Sequence, residues 1–313
     1  MKISVASLLQ AATAAFLALS TVQVQVVQAA AVPSNLQPSS AMAAASMAQT
    51  MKLQKRGFMS GVNDFNCKLT PDHPRPLLLV HATLLTKESW WTFAPVLVEE
   101  GYCVFALTYG RYKDIPLVGG LAPIAESAKE VADFGDEILT RMNVTQLDYV
   151  GHSQGGILGR YWVKHLGGAG KINKMVGISP IHHGTTLSGI TTIAKALKIF
   201  NPAQPVFDFF APSFFEMVDS SEFMAKLNEG SDILPGVTHA NIATKFDEVV
   251  TPWGNCYQKG QGAVNKLLQD FCGISINEHL TMINSKVVLR FVMNQLRPST
   301  ASSPNCLSFL WLR

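Results

Sequence analysis

The sequence predicts an α/β protein with a mostly parallel central sheet and helices on both faces. Three observations predict it. Short continuous apolar runs, as expected of parallel strands buried on both faces, alternate with helical patterns along the chain. The pentapeptide Gly151-His152-Ser153-Gln154-Gly155 lies between a strand-like run and a helical stripe. It matches G-x-S-x-G, in which a serine sits on a sharp strand-to-helix turn. Once a leader is set aside, about 257 residues remain, enough for one large domain with a sizeable core.

The leader comes first. Met1-Lys2 precedes an apolar stretch from Ile3 to about Leu19, and small residues follow around Val27-Gln28-Ala29. Residues 1–29 therefore read as a secretory signal, too short and wrongly flanked for a membrane anchor. Residues 30–56 are rich in Ala, Ser, Gln and Met, carry no acidic residue, and read as a disordered pro-segment. That segment ends at Lys55-Arg56, a dibasic pair of the kind cleaved by secretory convertases. Removing the leader takes four basic residues away and shifts the net charge from +3 to −1. No basic surface is then left to argue for nucleic acid, and a secreted monomer is expected.

Within 57–297, Leu77 to Val80 and Cys103 to Leu107 are the first two strands, with a helix from Trp90 to Glu100 between them. From Ile124, the residues Ala128, Val131, Phe134, Ile138 and Met142 recur at spacings of three and four, which predicts an amphipathic helix. Asn143-Val144-Thr145 follows it as the one glycosylation sequon, in a predicted surface loop. The serine strand Leu147 to Val150 comes next, and then Ile157, Leu158, Tyr161, Trp162 and Leu166 at helical spacing. Met175 to Ile178 and Asn241 to Thr244 supply later strands; Val287, Val288, Phe291, Val292 and Leu296 line a closing helix.

One stretch breaks the rhythm. Residues 190–217 hold Phe200, Phe207, Phe209, Phe210, Phe214 and Phe215 among three prolines. Two readings stand: plain core, or a cap lining an acyl pocket. The Ser/Pro-rich tail, 298–313, has no functional account.

A serine hydroxyl needs a base, and the base an orienting acid. Behind this turn the chain order is serine, acid, histidine. His165 falls on a helix, His239 begins a strand, and no acid candidate separates Ser153 from His182-His183. His279, in a loop before the last helix, is the expected base. Asp247 ends an apolar strand, so its carboxylate would emerge at the sheet's carboxyl edge; Asp208, Asp219 and Asp232 are expected to be solvated, and Glu248 to point away. The amide of Gln154 and the Thr83 loop after the first strand are the expected oxyanion donors, with His81 bracing that loop.

Five cysteines suit an oxidising compartment. Cys67–Cys103 would tie the N-terminal extension to the sheet. Cys256 and Cys272 would close a loop of about 15 residues, worth up to ~3 kcal/mol, leaving Cys306 over. No Cys or His spacing suggests a metal.

The segments His81-Ala82-Thr83, Glu99 to Gly110, Gly151 to Gly156, His183-Gly184-Thr185, Asp247 to Pro252 and Glu278-His279 together resemble the secreted class 2 lipases. The resemblance spans about 63–296. It implies an α/β-hydrolase fold, a triacylglycerol lipase or esterase activity on ester or lipid substrates, and no metal or organic cofactor. It also implies Ser153, Asp247 and His279 as the triad, with Thr83 and Gln154 at the oxyanion hole. Two alternatives stay open: a cutinase-like polyester hydrolase and a non-catalytic lipid-binding protein. Where the family usually has His-Gly, this chain has His81-Ala82. If that glycine serves a positive φ, Ala82 adds about 1 kcal/mol of strain.

Overall fold

Six strands, β1 (Leu77–Val80), β2 (Val104–Leu107), β3 (Leu147–His152), β4 (Ile172–Ile178), β5 (Thr238–Ala243) and β6 (Ala263–Leu267), form one sheet in the order β2-β1-β3-β4-β5-β6. Every pairing is parallel. The structure is a computed structural model that describes residues 59–112, 118–196 and 211–306. The signal and pro-segment readings, Phe200 to Phe210 and the last seven tail residues lie outside the described residues.

Alternation along the strands builds two cores. Leu78, Val80, Phe105 and Tyr149 face one side, packed against Ile124, Val131 and Ile138 of α2 (Ile124–Met142) and Ile157, Leu158 and Trp162 of α3 (Gly155–His165). Leu77, Leu79, Val104 and Val150 face the other, against Phe93 and Leu97 of α1 (Phe93–Glu99) and Val287, Val288, Phe291 and Val292 of the closing helix (Lys286–Leu296). Strands buried on both faces carry no polar alternation, which is why they read as continuous apolar runs. The predicted helix from Trp90 to Glu100 is divided: a 3-10 turn, Lys87–Trp91, precedes α1.

The sequence reading missed β6. It lies at the sheet's edge, pairs with β5 alone, and its residues Ala263-Val264-Asn265-Lys266 lack the apolar run of the central strands.

The cysteines pair differently from expectation at one end. Cys67–Cys103 forms, with a Cα–Cα distance of 5.7 Å. The second bridge is Cys272–Cys306, and Cys256 is a buried free thiol. The expected Cys256–Cys272 pair cannot form because the two lie in cores on opposite faces of the sheet. Cys306 instead packs beside Cys272, which ties the tail down to that point.

Asn143 ends α2 in the left-handed conformation, φ 53°, and is exposed, so the sequon stands at the surface.

Candidate active site

The turn after β3 is built by close approach. Its Ser153 has φ 53°, a left-handed conformation that an L side chain adopts at a cost of about 1–3 kcal/mol. A Cβ on Gly151 would run into the Gly155 carbonyl, and one on Gly155 into the carbonyls of Val80 and His81. Glycine at both positions therefore lets β3, the start of α3 and the end of β1 meet. Register does the rest: Gly151 lies opposite Val80 and Gly177, and His152 opposite Ile178. Ser153 is held at the carboxyl edge by its amide, which donates to the Ile178 carbonyl at 3.0 Å.

His279 and Asp247 meet at that edge. His279 Nδ1 lies 2.9 Å from Asp247 Oδ2, and both side chains are buried. The other carboxylate oxygen, Oδ1, accepts from the amides of Val249 and Val250 at 3.0 and 2.7 Å. Burial pulls the imidazole of His279 down, but the charge and hydrogen bond of Asp247, joined by Glu248 and Glu278, outweigh it and leave His279 raised above its ordinary value. Glu248 itself is exposed.

His152 links this pair to the serine turn. Its ring lies 5.0 Å from that of His279, and its Nε2 is 3.0 Å from the His279 carbonyl oxygen. Burial, reinforced by the neighbouring His279, holds His152 well below the imidazole range. A neutral His152 must then donate from Nε2. The Ser153 hydroxyl is not hydrogen-bonded to His279 in this structure; contacts of this kind are often long before substrate binds.

The loop after β1 lies against the start of α3, where a Cβ on Gly155 would meet the His81 carbonyl. His81, lowered to about 4 by burial, braces it: Nδ1 donates to the Ala82 carbonyl at 2.7 Å, Nε2 accepts from the Tyr109 amide at 3.3 Å, and the two rings stack. The positive φ on which strain at Ala82 would depend is not found there. The left-handed residue of this loop is Leu84, φ 64°, whose amide donates to the Gly119 carbonyl at 2.9 Å. The turn that needs a positive φ thus comes two residues later, and Ala82 needs none. Thr83 and Gln154 are brought together by Gly120: a Cβ there would lie 2.8 Å from Thr83 Cα and 3.2 Å from Gln154 Oε1.

Asp232, expected in solvent, is buried in a polar network behind α3. It bonds Arg160 Nη2 at 2.8 Å, His183 Nε2 at 2.9 Å and the Lys259 amide at 2.7 Å. Burial opposes its charge, but those hydrogen bonds and the Arg160 guanidinium hold its carboxyl well below the usual range. His182, Asn241, Gln258 and Asn265 continue the network across β5 and β6. Sequence offered one missed signal: a charged Arg160 on the inner face of a helix requires a buried acid. Among the described residues, no group of three or more His, Cys, Asp or Glu is placed to hold a metal ion.

A parallel sheet with a serine on a left-handed turn at its carboxyl edge, and a buried Asp–His pair bonded to the residue before that serine, defines the α/β-hydrolase fold. Residues 74–290 match the family Lipase (class 2), and the chain belongs to that family. Among solved structures it is similar to lipase B of Aspergillus fumigatus, with 17% identity, a TM-score of 0.56, and coverage of 77% of this chain and 57% of that one. It is also similar to the mature form of the Bacillus licheniformis lipase BlEst2, with 15% identity, a TM-score of 0.55, and coverage of 74% and 94%. The chain thus spans little more than half of the Aspergillus lipase. Comparison with curated proteins finds no match.

Proposed function

We propose that this class 2 lipase is a secreted serine carboxylic-ester hydrolase that works through an acyl-enzyme on Ser153. The observation that carries this reading is the buried Asp247–His279 pair, hydrogen-bonded at 2.9 Å and docked through His152 onto the serine turn. In the proposed cycle, His279 Nε2 takes the proton of Ser153 as Oγ attacks the ester carbonyl. The negative charge that develops on the carbonyl oxygen is received by the amides of Gln154 and Thr83, with the Thr83 hydroxyl beside them. His279 then gives its proton to the departing alkoxide. Water, deprotonated by the same imidazole, releases the acid and restores the serine. Asp247 holds the neutral imidazole with Nδ1 protonated and stabilises the imidazolium, while its second oxygen is anchored by two amides.

The substrate is proposed to be an ester with an apolar acyl chain met at a lipid surface. Phe246, Trp253, Ile274 and Ile276 are exposed on the loops that carry Asp247 and His279, and Leu187 is exposed at the start of the helix after β4. All follow carboxyl ends of strands, the edge that holds the serine. Secretion is supported by the leader's pattern and by the two disulfides. The leader to Arg56 is proposed to be removed, and Asn143 to be the glycosylated position.

A fluorophosphonate label followed by peptide mapping tests the chemistry. Modification of Ser153 is expected; no labelling of the folded protein would leave a lipid binder without catalysis. Rates on p-nitrophenyl esters of increasing chain length, on emulsified triglyceride and on a polyester film test the substrate. Higher activity on the film than on the emulsion would replace the lipase reading with the polyester one.

A further inference from the structure

Met217 touches both candidate oxyanion residues and has no part in the cycle above. Its Sδ accepts from Thr83 Oγ1 at 3.4 Å and from Gln154 Nε2 at 3.7 Å, and the side chain is fully buried. The backbone around it is fixed on both sides. The Met217 amide donates to the Ser213 carbonyl at 3.0 Å, and the Met217 carbonyl accepts from the Thr185 amide at 2.9 Å. Behind it, the Gly120 carbonyl accepts from Gln154 Nε2 at 3.2 Å and from the Ser213 hydroxyl at 2.8 Å. The Met217 sulfur is the acceptor the structure gives to the Thr83 hydroxyl.

That acceptor is a thioether, which binds a hydroxyl proton weakly. We propose that Met217 is a positioning residue for the oxyanion hole. Its sulfur fixes the rotamer of Thr83 and the side chain of Gln154 between turnovers, then yields the hydroxyl to the carbonyl oxygen as negative charge develops there. A weak acceptor suits this exchange, because the hydroxyl gives up little when it turns. A strong acceptor at the same point would compete with the oxyanion. An aliphatic side chain would leave the hydroxyl unaimed. The inference rests on the proposed oxyanion role of Thr83.

The test is a double-mutant cycle between positions 217 and 83, read as kcat and KM separately, with a thermal melt on each variant. Met217→Gln, which brings an amide oxygen to the hydroxyl, is expected to lower kcat about tenfold with KM changed less than about twofold, as for an interaction made in the transition state. Met217→Leu, close in volume and expected to fold, should lower kcat about threefold. In a Thr83→Val background both substitutions should lose their effect on kcat. Should Met217→Gln fail to fold, the Leu arm of the cycle carries the same comparison. Equal falls with and without the Thr83 hydroxyl would overturn the positioning role and leave the oxyanion assignment intact. An unchanged kcat in Thr83→Val alone would instead remove the hydroxyl from the oxyanion hole, and this inference with it.

Discussion

Two buried aspartates in this protein each hold an imidazole at the same 2.9 Å, Asp247 the buried His279 and Asp232 the half-buried His183. Their surroundings separate them. Asp247 spends its second oxygen on two backbone amides, neutral donors that leave its charge to the imidazole. Asp232 also faces the guanidinium of Arg160, a permanent cation, at 2.8 Å. In the proposed cycle, the imidazole that gains a proton is stabilised by the first carboxylate; the charge of the second is already answered. The contact distance alone therefore does not mark a catalytic pair. What marks Asp247–His279 as the proposed catalytic pair is the carboxylate's remaining partners, together with docking of the imidazole onto the serine turn.

The comparison breaks most sharply under substitution. Ser153→Ala and His279→Ala are each expected to lower kcat by about 10⁴-fold or more in protein that still melts cooperatively, and Asp247→Asn by up to about 10⁴-fold. His183→Ala should leave kcat within a few-fold. Wild-type turnover by Asp247→Asn, beside an inactive His183→Ala, would reverse the assignment of the two pairs.

Asp232→Asn should act on stability in place of chemistry. It leaves the Arg160 charge buried without its partner, a change of about 3–5 kcal/mol, read as a lower urea midpoint with kcat per folded molecule little changed. A kcat collapse at unaltered stability would mean that the network takes part in turnover.

Cys306→Ser opens a bridge whose ends are 34 residues apart, worth up to about 4 kcal/mol in the chain-entropy treatment. A clear fall in Tm is expected, whereas Cys256→Ala should leave both bridges intact on non-reducing peptide mapping. A Cys256–Cys272 peptide in the unmodified protein would contradict the packing of these cysteines in separate cores.

The pH profile sharpens the same contrast more gently. In the proposed cycle the base is neutral when it accepts the Ser153 proton, and His279 is raised above its ordinary value of 6.5. The acid limb of kcat/KM should therefore fall away at a pH above 6.5, with activity present on the alkaline side and lost as pH drops. Any residual activity of Asp247→Asn should show that limb displaced downward; an unmoved limb would detach His279 from Asp247. The smallest effect concerns Ala82. With the loop's positive φ at Leu84, Ala82→Gly relieves nothing, so kcat/KM should hold and stability should fall by up to about 1 kcal/mol.

Local pattern was legible wherever chemistry and geometry are set by neighbours in sequence. The central strands showed as apolar runs, α2 and α3 as helical stripes, and the serine turn as a glycine-flanked pentapeptide, because each depends on residues a few positions apart. Asp247 and His279 came from chain order and strand ends, and the structure brings them to hydrogen-bond distance. The polar edge strand β6 and the Met217 contacts left no such pattern, and the buried Asp232 network left only Arg160 on the inner face of α3. Each arises from residues tens of positions apart meeting across the sheet.

By itself, then, the sequence determined the alternation of strand and helix, the turn that lifts Ser153, and the short roll of residues able to serve it. Those follow from backbone sterics and hydrophobic periodicity, which are local. The tertiary structure alone decided that Cys272 pairs with Cys306, that Asp232 neutralises Arg160, and that the left-handed residue of the loop after β1 is Leu84 and not Ala82. Which face of the sheet a side chain packs on, and which buried charge it meets there, is fixed only when the helices close over both cores.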